Sequence, residues 1–284
     1  MFALASVHSR PYSMNPLRLL QSTAALAMLT TAVPSSSAIE VKLDATKTGA
    51  PISPYIYGQF IEHLGRCIYG GIWAEMLEDR KFYFPITADY SPYRTLKDSA
   101  YPVVGASPWQ IIGDAGAVTM VKEGAFVGSH SPRVNAGAGL RQRDLGLVAA
   151  RNYDGYLWAK PLTGGAEIEI ALVWGEGASG RASTRLVFAG DGFSRQTFRF
   201  APTTGSENGG ALELRVIRGD VLLGPPSLMP ADHVHGMRAD TLALLKQLNG
   251  TVYRWPGGNF VSGYDWRDGI GDRDRRPPRK NPAW

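Results

Sequence analysis

Between residues 109 and 229 the chain reads as short stretches of alternating apolar and polar residues separated by glycine-rich turns. The stretches are 117–121, 146–150, 156–160, 166–174, 184–189, 197–201 and 211–217. A side-chain period of two in runs this short predicts strands rather than helices. In 166–174 it places Ile168, Ile170 and Leu172 on one face. The number and spacing of the runs predict a jelly-roll-like β-sandwich of seven or eight strands. The pattern differs on either side. Residues 56–61 and 252–255 are rich in β-branched and aromatic side chains and read as strands. Residues 237–248 repeat their apolar positions at helical spacing, with Thr241, Leu242, Leu245 and Leu248 near one face and Gly250 as the stop. A strand, a helix and a second strand form a βαβ unit, so the reading is α/β interrupted by an all-β insert.

Smaller segments complete the picture. Residues 39–43 (IEVKL) alternate and predict an exposed-face strand, 74–84 predict a short helix, and the Pro-, Ser- and Tyr-rich region within 85–108 predicts a linker. Pro225 and Pro226 through Pro230 read as the close of the insert. The expected organisation is therefore 1–38 as a signal peptide, 39–84 as a leading strand and first strand with its loop, and 85–108 as linker. The sandwich insert follows at 109–230, and the helix, second strand and following loop at 231–284.

Composition changes this picture little. Apolar residues at 44% and charged ones at 19% are those of a folded protein. Arg18, an apolar run over 19–33 and a small-residue exit at 36–38 predict export, so the mature form is expected to be secreted or periplasmic and outside the membrane. Removing 1–38 takes Arg10 and Arg18 and no acid, lowering the formal charge from +5 to +3. That surplus does not argue for nucleic acid, and the basic run Arg273, Arg275, Arg276, Arg279, Lys280 reads as a solvated loop. Cys67 is the sole cysteine, which excludes an intrachain disulfide and predicts a small buried filler. His63, His130, His233 and His235 lack zinc-ligand spacing, and no phosphate-binding glycine loop is present, so neither metal nor cofactor is expected.

The chemistry concentrates in two stretches, YIYGQFIEHLGRCIYGGIW (55–73) and VYRWPGGNFVSGYDWRDGIG (252–271). Each runs from a β-prone segment into a turn bearing amide, carboxylate and aromatic side chains, the groups that grip sugars. Both stretches, in this order, resemble the opening of the α-L-arabinofuranosidases of glycoside hydrolase family 51. The resemblance implies the start of a (β/α)8 TIM barrel, its first two strands followed by functional residues at their C-terminal ends. It implies an enzyme that removes terminal non-reducing α-L-arabinofuranosyl groups from arabinose-containing plant polysaccharides or oligosaccharides by a retaining mechanism. Both catalytic glutamates would lie beyond Trp284, leaving no catalytic residue within this chain. By the same resemblance Glu62 holds the arabinofuranose hydroxyls, Arg254 orients the nucleophile, and Asn259 and Trp255 line the pocket. Many members have cysteine at the position of Asn259. Tyr264, Asp265 and Trp266 would shape the leaving-group side, and a homo-oligomer is allowed for the full-length form.

Two other readings stand beside this one: a related clan glycosidase acting on β-glucan or xylan, and a non-catalytic glycan-binding protein using the sandwich. For the latter, Trp158, Trp174, Tyr153 and Tyr156 are the stacking candidates, although aromatics at alternate strand positions more commonly fill cores. His63, next to Glu62 on a strand, is expected to point to the opposite side and to serve a structural role.

Overall fold

The computed structural model describes residues 39–95 and 102–280. The expected signal peptide lies outside them. The chain divides into two units, Met1–Pro51 and Ile52–Trp284. In the first, residues 39–43 form no strand, and Ile39, Val41 and Leu43 are all exposed. Alternation alone does not make a strand when no neighbouring ladder takes up the backbone N–H and C=O groups.

The second unit is mostly β. Ten strands form the sandwich: β4 (Trp109–Ile112), β5 (Val118–Val121), β6 (Ser131–Val134), β7 (Gly139–Leu147), β8 (Tyr153–Pro161), β9 (Ala166–Val173), β10 (Arg181–Phe188), β11 (Ser194–Phe200), β12 (Ser206–Arg218) and β13 (Val221–Pro230). They make two five-stranded sheets, ordered β10-β9-β12-β7-β4 and β11-β8-β13-β6-β5, with antiparallel pairing throughout. Outside them lie β1 (Gln59–Phe60), β2 (Tyr93–Thr95), β3 (Pro102–Val104), helix α1 (Ala239–Gln247), β14 (Tyr253–Arg254) and a short helix α2 (Gly258–Gly263).

Alternation explains the core. Ile168, Ile170 and Leu172 of β9 are fully buried, as are Tyr153, Leu157 and Ala159 of β8, and all join one apolar cluster between the sheets. Each such side chain contributes roughly 1.5–3 kcal/mol by leaving water. Trp174 and Tyr153, two of the stacking candidates, belong to this core.

The strand count exceeds the expected seven or eight because three strands lack the alternating signature. β4 and β6 are four residues each, and β6 contains a proline. β13 is buried at all ten positions, so it shows no period, and it runs through Pro225 and Pro226. Those two prolines lie inside the last strand of the sandwich, which closes at Pro230. They sit where the pairing of β13 with β8 shifts register between Leu223 and Pro226, a bulge at which the missing N–H breaks no ladder bond.

Residues 74–84 are not helical. Asp79 and Phe82 take left-handed φ of 43° and 55°, and the Asp79 carboxylate accepts from the backbone N–H of Tyr83 (2.6 Å) and Phe84 (3.0 Å). The segment is irregular because its side chains are used by the sandwich. Leu77, Phe82 and Ile86 enter the core cluster, and Trp109 Nε1 donates to the Asp79 carbonyl at 3.2 Å. Buried Glu75 accepts from Ser227 Oγ (2.6 Å) and Leu228 N (2.9 Å) of β13 and pairs with Arg80 (3.3 Å).

The basic run near the C-terminus is solvated only in part: Arg275, Arg279 and Lys280 are exposed, whereas Arg273 and Arg276 are half-buried and Asp274 between them is buried. Asp274 is 3% exposed. Its carboxylate accepts from Arg80 (2.6 Å), the Tyr156 hydroxyl (2.9 Å) and Trp158 Nε1 (2.9 Å). Burial would raise its pKa, but Arg80 beside it and these hydrogen bonds hold it below the usual carboxylate range. Lys81 donates to the carbonyls of Arg273 (2.6 Å) and Arg276 (2.7 Å), and Arg275 lies over the Phe126 ring at 3.8 Å. Residues 271–276 thus form a strap over the outer face of β8. Arginine surrounded by aromatics and carbonyls buries its stem while its charge stays solvated by dipoles.

Candidate functional site

The second chemical centre is built on the parallel pair β1–β14, with Gln59 opposite Tyr253 and Phe60 opposite Arg254. The main-chain N–H groups of Gln59 and Ile61 donate to the carbonyls of Val252 and Arg254, both at 2.8 Å. Helix α1 precedes β14 and ends at Leu248, after which Asn249, not Gly250, takes the left-handed position (φ 48°). The Tyr253 hydroxyl donates to the Leu245 carbonyl at 2.7 Å, tying strand to helix.

Just past the C-terminal ends of both strands, Arg254 Nη2 donates to Glu62 Oε1 at 2.9 Å. The Glu62 side chain is 13% exposed and the Arg254 side chain 63%. The guanidinium also lies over the Phe60 ring, 5.5 Å from its centroid. Gly257 (φ 64°) and Gly258 (φ 57°) follow the cis Trp255–Pro256 peptide and wrap around the carboxylate. A Cβ on Gly257 would lie 2.9 Å from Glu62 Oε1, and one on Gly258 would overlap Glu62 Oε2. Both positions need glycine twice over, for the left-handed backbone and for the close approach.

Trp255 and His63, next in sequence to Arg254 and Glu62, lie together. Their rings meet edge-on at 5.5 Å, and His63 stacks on Phe260 at 4.1 Å with an interplanar angle of 16°. Phe260 in turn stacks on Tyr264 at 4.8 Å. Burial lowers the pKa of His63, favouring the neutral imidazole within this aromatic column. Trp255 is thus half-exposed beside His63, and Asn259 is exposed in the first turn of α2. Asp265 is occupied locally, bonded to Arg267 through both oxygens (2.9 and 2.7 Å), which lowers its pKa. Trp266 is exposed. The geometry therefore brings together Glu62, Arg254 and the two glycines, with Asn259 next in the chain. Residue-type reasoning passed over Phe60, Gly257 and Gly258 as site elements, although the glycine pair after a strand was a legible signal. Cys67 is exposed rather than buried.

Among the described residues no group of three or more His, Cys, Asp or Glu is arranged to hold a metal, and no helix is long and apolar enough to cross a membrane.

No family model matches the chain. It is 57% identical over 49 residues to an exo-α-(1→6)-L-arabinofuranosidase of Bifidobacterium longum, covering 17% of this chain and 9% of that protein. It is 54% identical over 59 residues to an intracellular exo-α-(1→5)-L-arabinofuranosidase of the same organism, 21% of this chain and 10% of that protein. An extracellular exo-α-L-arabinofuranosidase of Streptomyces chartreusis aligns with 94% of this chain at 26% identity. The chain spans about a third of that relative's length, 35%. Solved structures similar to it include a family 61 carbohydrate-binding module with β-1,4-galactotriose bound (19% identity, TM-score 0.35, 44% of this chain and 89% of that one). A family 22 xylan-binding domain of Paenibacillus barcinonensis matches at 15% identity and TM-score 0.33, over 44% of this chain and 87% of that one. Scores this low bear no argument, and the sandwich is defined by its own sheet topology.

Proposed function

We propose that this chain supplies the sugar-gripping part of a retaining α-L-arabinofuranosidase, with β1, α1 and β14 as the first elements of a (β/α)8 barrel. In this reading Glu62 accepts hydrogen bonds from the furanose hydroxyls. Arg254 holds a carboxylate nucleophile ionised and aimed, and Asn259 and Trp255 flank the sugar. Both catalytic glutamates come from a part of the enzyme other than these 284 residues, and the organisation inferred for the chain (1–38, 39–84, 85–108, 109–230, 231–284) is part of the proposal. The substrate is an arabinose-containing plant polysaccharide or oligosaccharide met outside the cell.

The observation behind this is the Glu62–Arg254 pair at the C-terminal ends of two parallel strands, where barrel enzymes place their working residues. An ion pair this exposed is worth about 0–1 kcal/mol in stability. Two glycines, free to take the left-handed backbone, leave room for the Glu62 carboxylate where any side chain would collide with it, which supports a role beyond so weak a pair. The local identities to two named arabinofuranosidases, and the alignment of a third with 94% of the chain, support the same chemistry.

The test is a chimera in which residues 39–284 replace the aligned part of the Streptomyces chartreusis relative. Release of arabinose from an aryl α-L-arabinofuranoside is the expected result. A folded chimera that cleaves only xylosides or β-glucosides would instead favour the related clan activity.

A further inference from the structure

We propose that a groove on the outer face of the sandwich binds an acidic saccharide, with Arg195 as the seat of a uronate carboxylate and Arg273 as its second donor. The groove encloses about 710 Å³, and its lining includes Tyr156, Arg195, Thr197, Arg199, His233 and Arg273. Three parts of the chain make it: strands β8, β11 and β13, the turn after β13, and the strap. Pairing fixes its floor, since Thr197 lies opposite Tyr156 and Arg199 opposite Asp154 across β11 and β8, while Ser227 and Met229 of β13 flank them on the other side.

Charge decides what it would hold. Asp154 is the one carboxylate in the lining, and it is already gripped by Arg199 through both guanidinium arms, one contact at 2.7 Å. Arg195 is exposed, stands over the Tyr156 ring at 5.2 Å from its centroid, and has no acidic partner among the described residues. Arg273 Nη2 donates to the Tyr156 hydroxyl at 2.7 Å. The carboxylate nearest Arg273, Asp274 at 4.0 Å, is committed to Arg80, Tyr156 and Trp158. Two guanidinium groups therefore share one polar groove without a carboxylate of their own, and the planar fork of arginine matches a carboxylate's two oxygens.

Size and lining argue for a sugar acid rather than a lone ion. A cleft within ~300–1,000 Å³ accommodates a drug-sized molecule. Thr197, His233 and His235 line it and bring hydrogen-bonding groups for hydroxyls, although His233 Nδ1 is already taken by the Gly236 N–H at 3.0 Å. Stacking on bare aromatics is not the mode here, because Tyr156 and Trp158 are already engaged by Arg195 and the strap. Only the choice of a glycan as ligand rests on the function proposed above. The positive groove stands without it.

The experiment is calorimetric titration of the 284-residue protein with trigalacturonate, with the same trisaccharide after reduction of its carboxyl groups, and with inorganic phosphate alone. Trigalacturonate is expected to bind, and the reduced sugar at least about tenfold more weakly, as loss of a charge-assisted fork should cost. Arg195→Gln, a change at an exposed position, is expected to bring trigalacturonate down to the level of the reduced sugar. Equal affinity for acidic and reduced trisaccharides would overturn the proposal, as would no binding of either, or phosphate binding as tightly as trigalacturonate. Binding of methyl α-L-arabinofuranoside is measured alongside. Its loss in Glu62→Ala but not in Arg195→Gln keeps the two sites distinct, so failure of one reading is not mistaken for failure of the other.

Discussion

Glu62 and Arg254, 192 positions apart in sequence, meet at 2.9 Å because residues 59–60 and 253–254 pair as parallel strands across the whole sandwich insert. The insert leaves the parent βαβ unit at β1 and returns it at α1 without disturbing the register. What the two strands share is the direction of their chains, which delivers a carboxylate and a guanidinium to one end of the pair.

The glycine turn that encloses Glu62 is the most sensitive point of this arrangement. Gly258→Ala places a methyl group against Glu62 Oε2 and forces alanine to φ 57°. A loss of about 1–2 kcal/mol in stability is expected from the backbone alone. Arabinofuranoside affinity should drop further than in a stability-matched core variant, read by titration of both. Unchanged affinity would show that Glu62 has room to move away.

Asp274 holds the strap to the sandwich. Asp274→Ala leaves Arg80, Tyr156 and Trp158 without their shared acceptor in a mostly buried setting. Breaking such a network is expected to cost about 3 kcal/mol. Chemical denaturation measures the loss, and the emission of Trp158 should move to longer wavelength as the strap lifts and water reaches the indole.

Asp79 gives the protein a pH signature. Burial pushes its carboxyl up to about 7, against the two backbone N–H bonds from Phe84 and Tyr83 that favour the charged form. The folded state therefore binds this proton more tightly than the unfolded chain, where the carboxyl titrates near 3.8. Its contribution is fully present below about pH 4 and is lost as pH rises to about 7. Asp79→Asn keeps an acceptor for Tyr83 and Phe84, tolerates the left-handed φ, and should flatten this part of the melting-temperature profile. A wild-type profile identical to that of the asparagine variant from pH 4 to 7 would contradict the assignment.

The sandwich does not end where its alternating pattern begins. Leu77, Phe82 and Ile86 pack in the same core as Leu157 and Ile170. Residues 109–230 produced alone should melt roughly 20 °C or more below residues 75–276, since each of the three missing core side chains costs a few kcal/mol. Equal melting temperatures would place those three residues outside the cooperative unit.

How much of this was legible in the sequence follows from which forces leave a local trace. Half-buried strands such as β8 and β9 announce themselves, because one face meets the core and the other water. β13 does not, since burial on both faces erases the period and its prolines look like an ending until the bulge against β8 is known. Residues 74–84 have helical composition, but Glu75 and Arg80 are drawn to partners on β8, β13 and the strap, and those long-range bonds outweigh a weak local preference. The strap was legible only in part: five cations in eight residues read as solvated, which holds for Arg275, Arg279 and Lys280, but the partners of Asp274 and of the Arg273 and Arg276 carbonyls are visible only in the fold. Glu62 and Arg254 were legible through motif resemblance and the glycine pair as a turn after a strand, whereas the close fit of those glycines around Glu62 needed coordinates.

The most direct measurement is a double-mutant cycle on kcat/KM in the arabinofuranosidase chimera, using Glu62→Ala, Arg254→Ala and the double variant. Groups that grip one transition state side by side should each cost roughly 10²-fold when removed, and the double variant should lose far less than the product of the two. Near wild-type rates in either single variant, or strict multiplicativity in the double, would contradict the pairing of these two residues at the sugar.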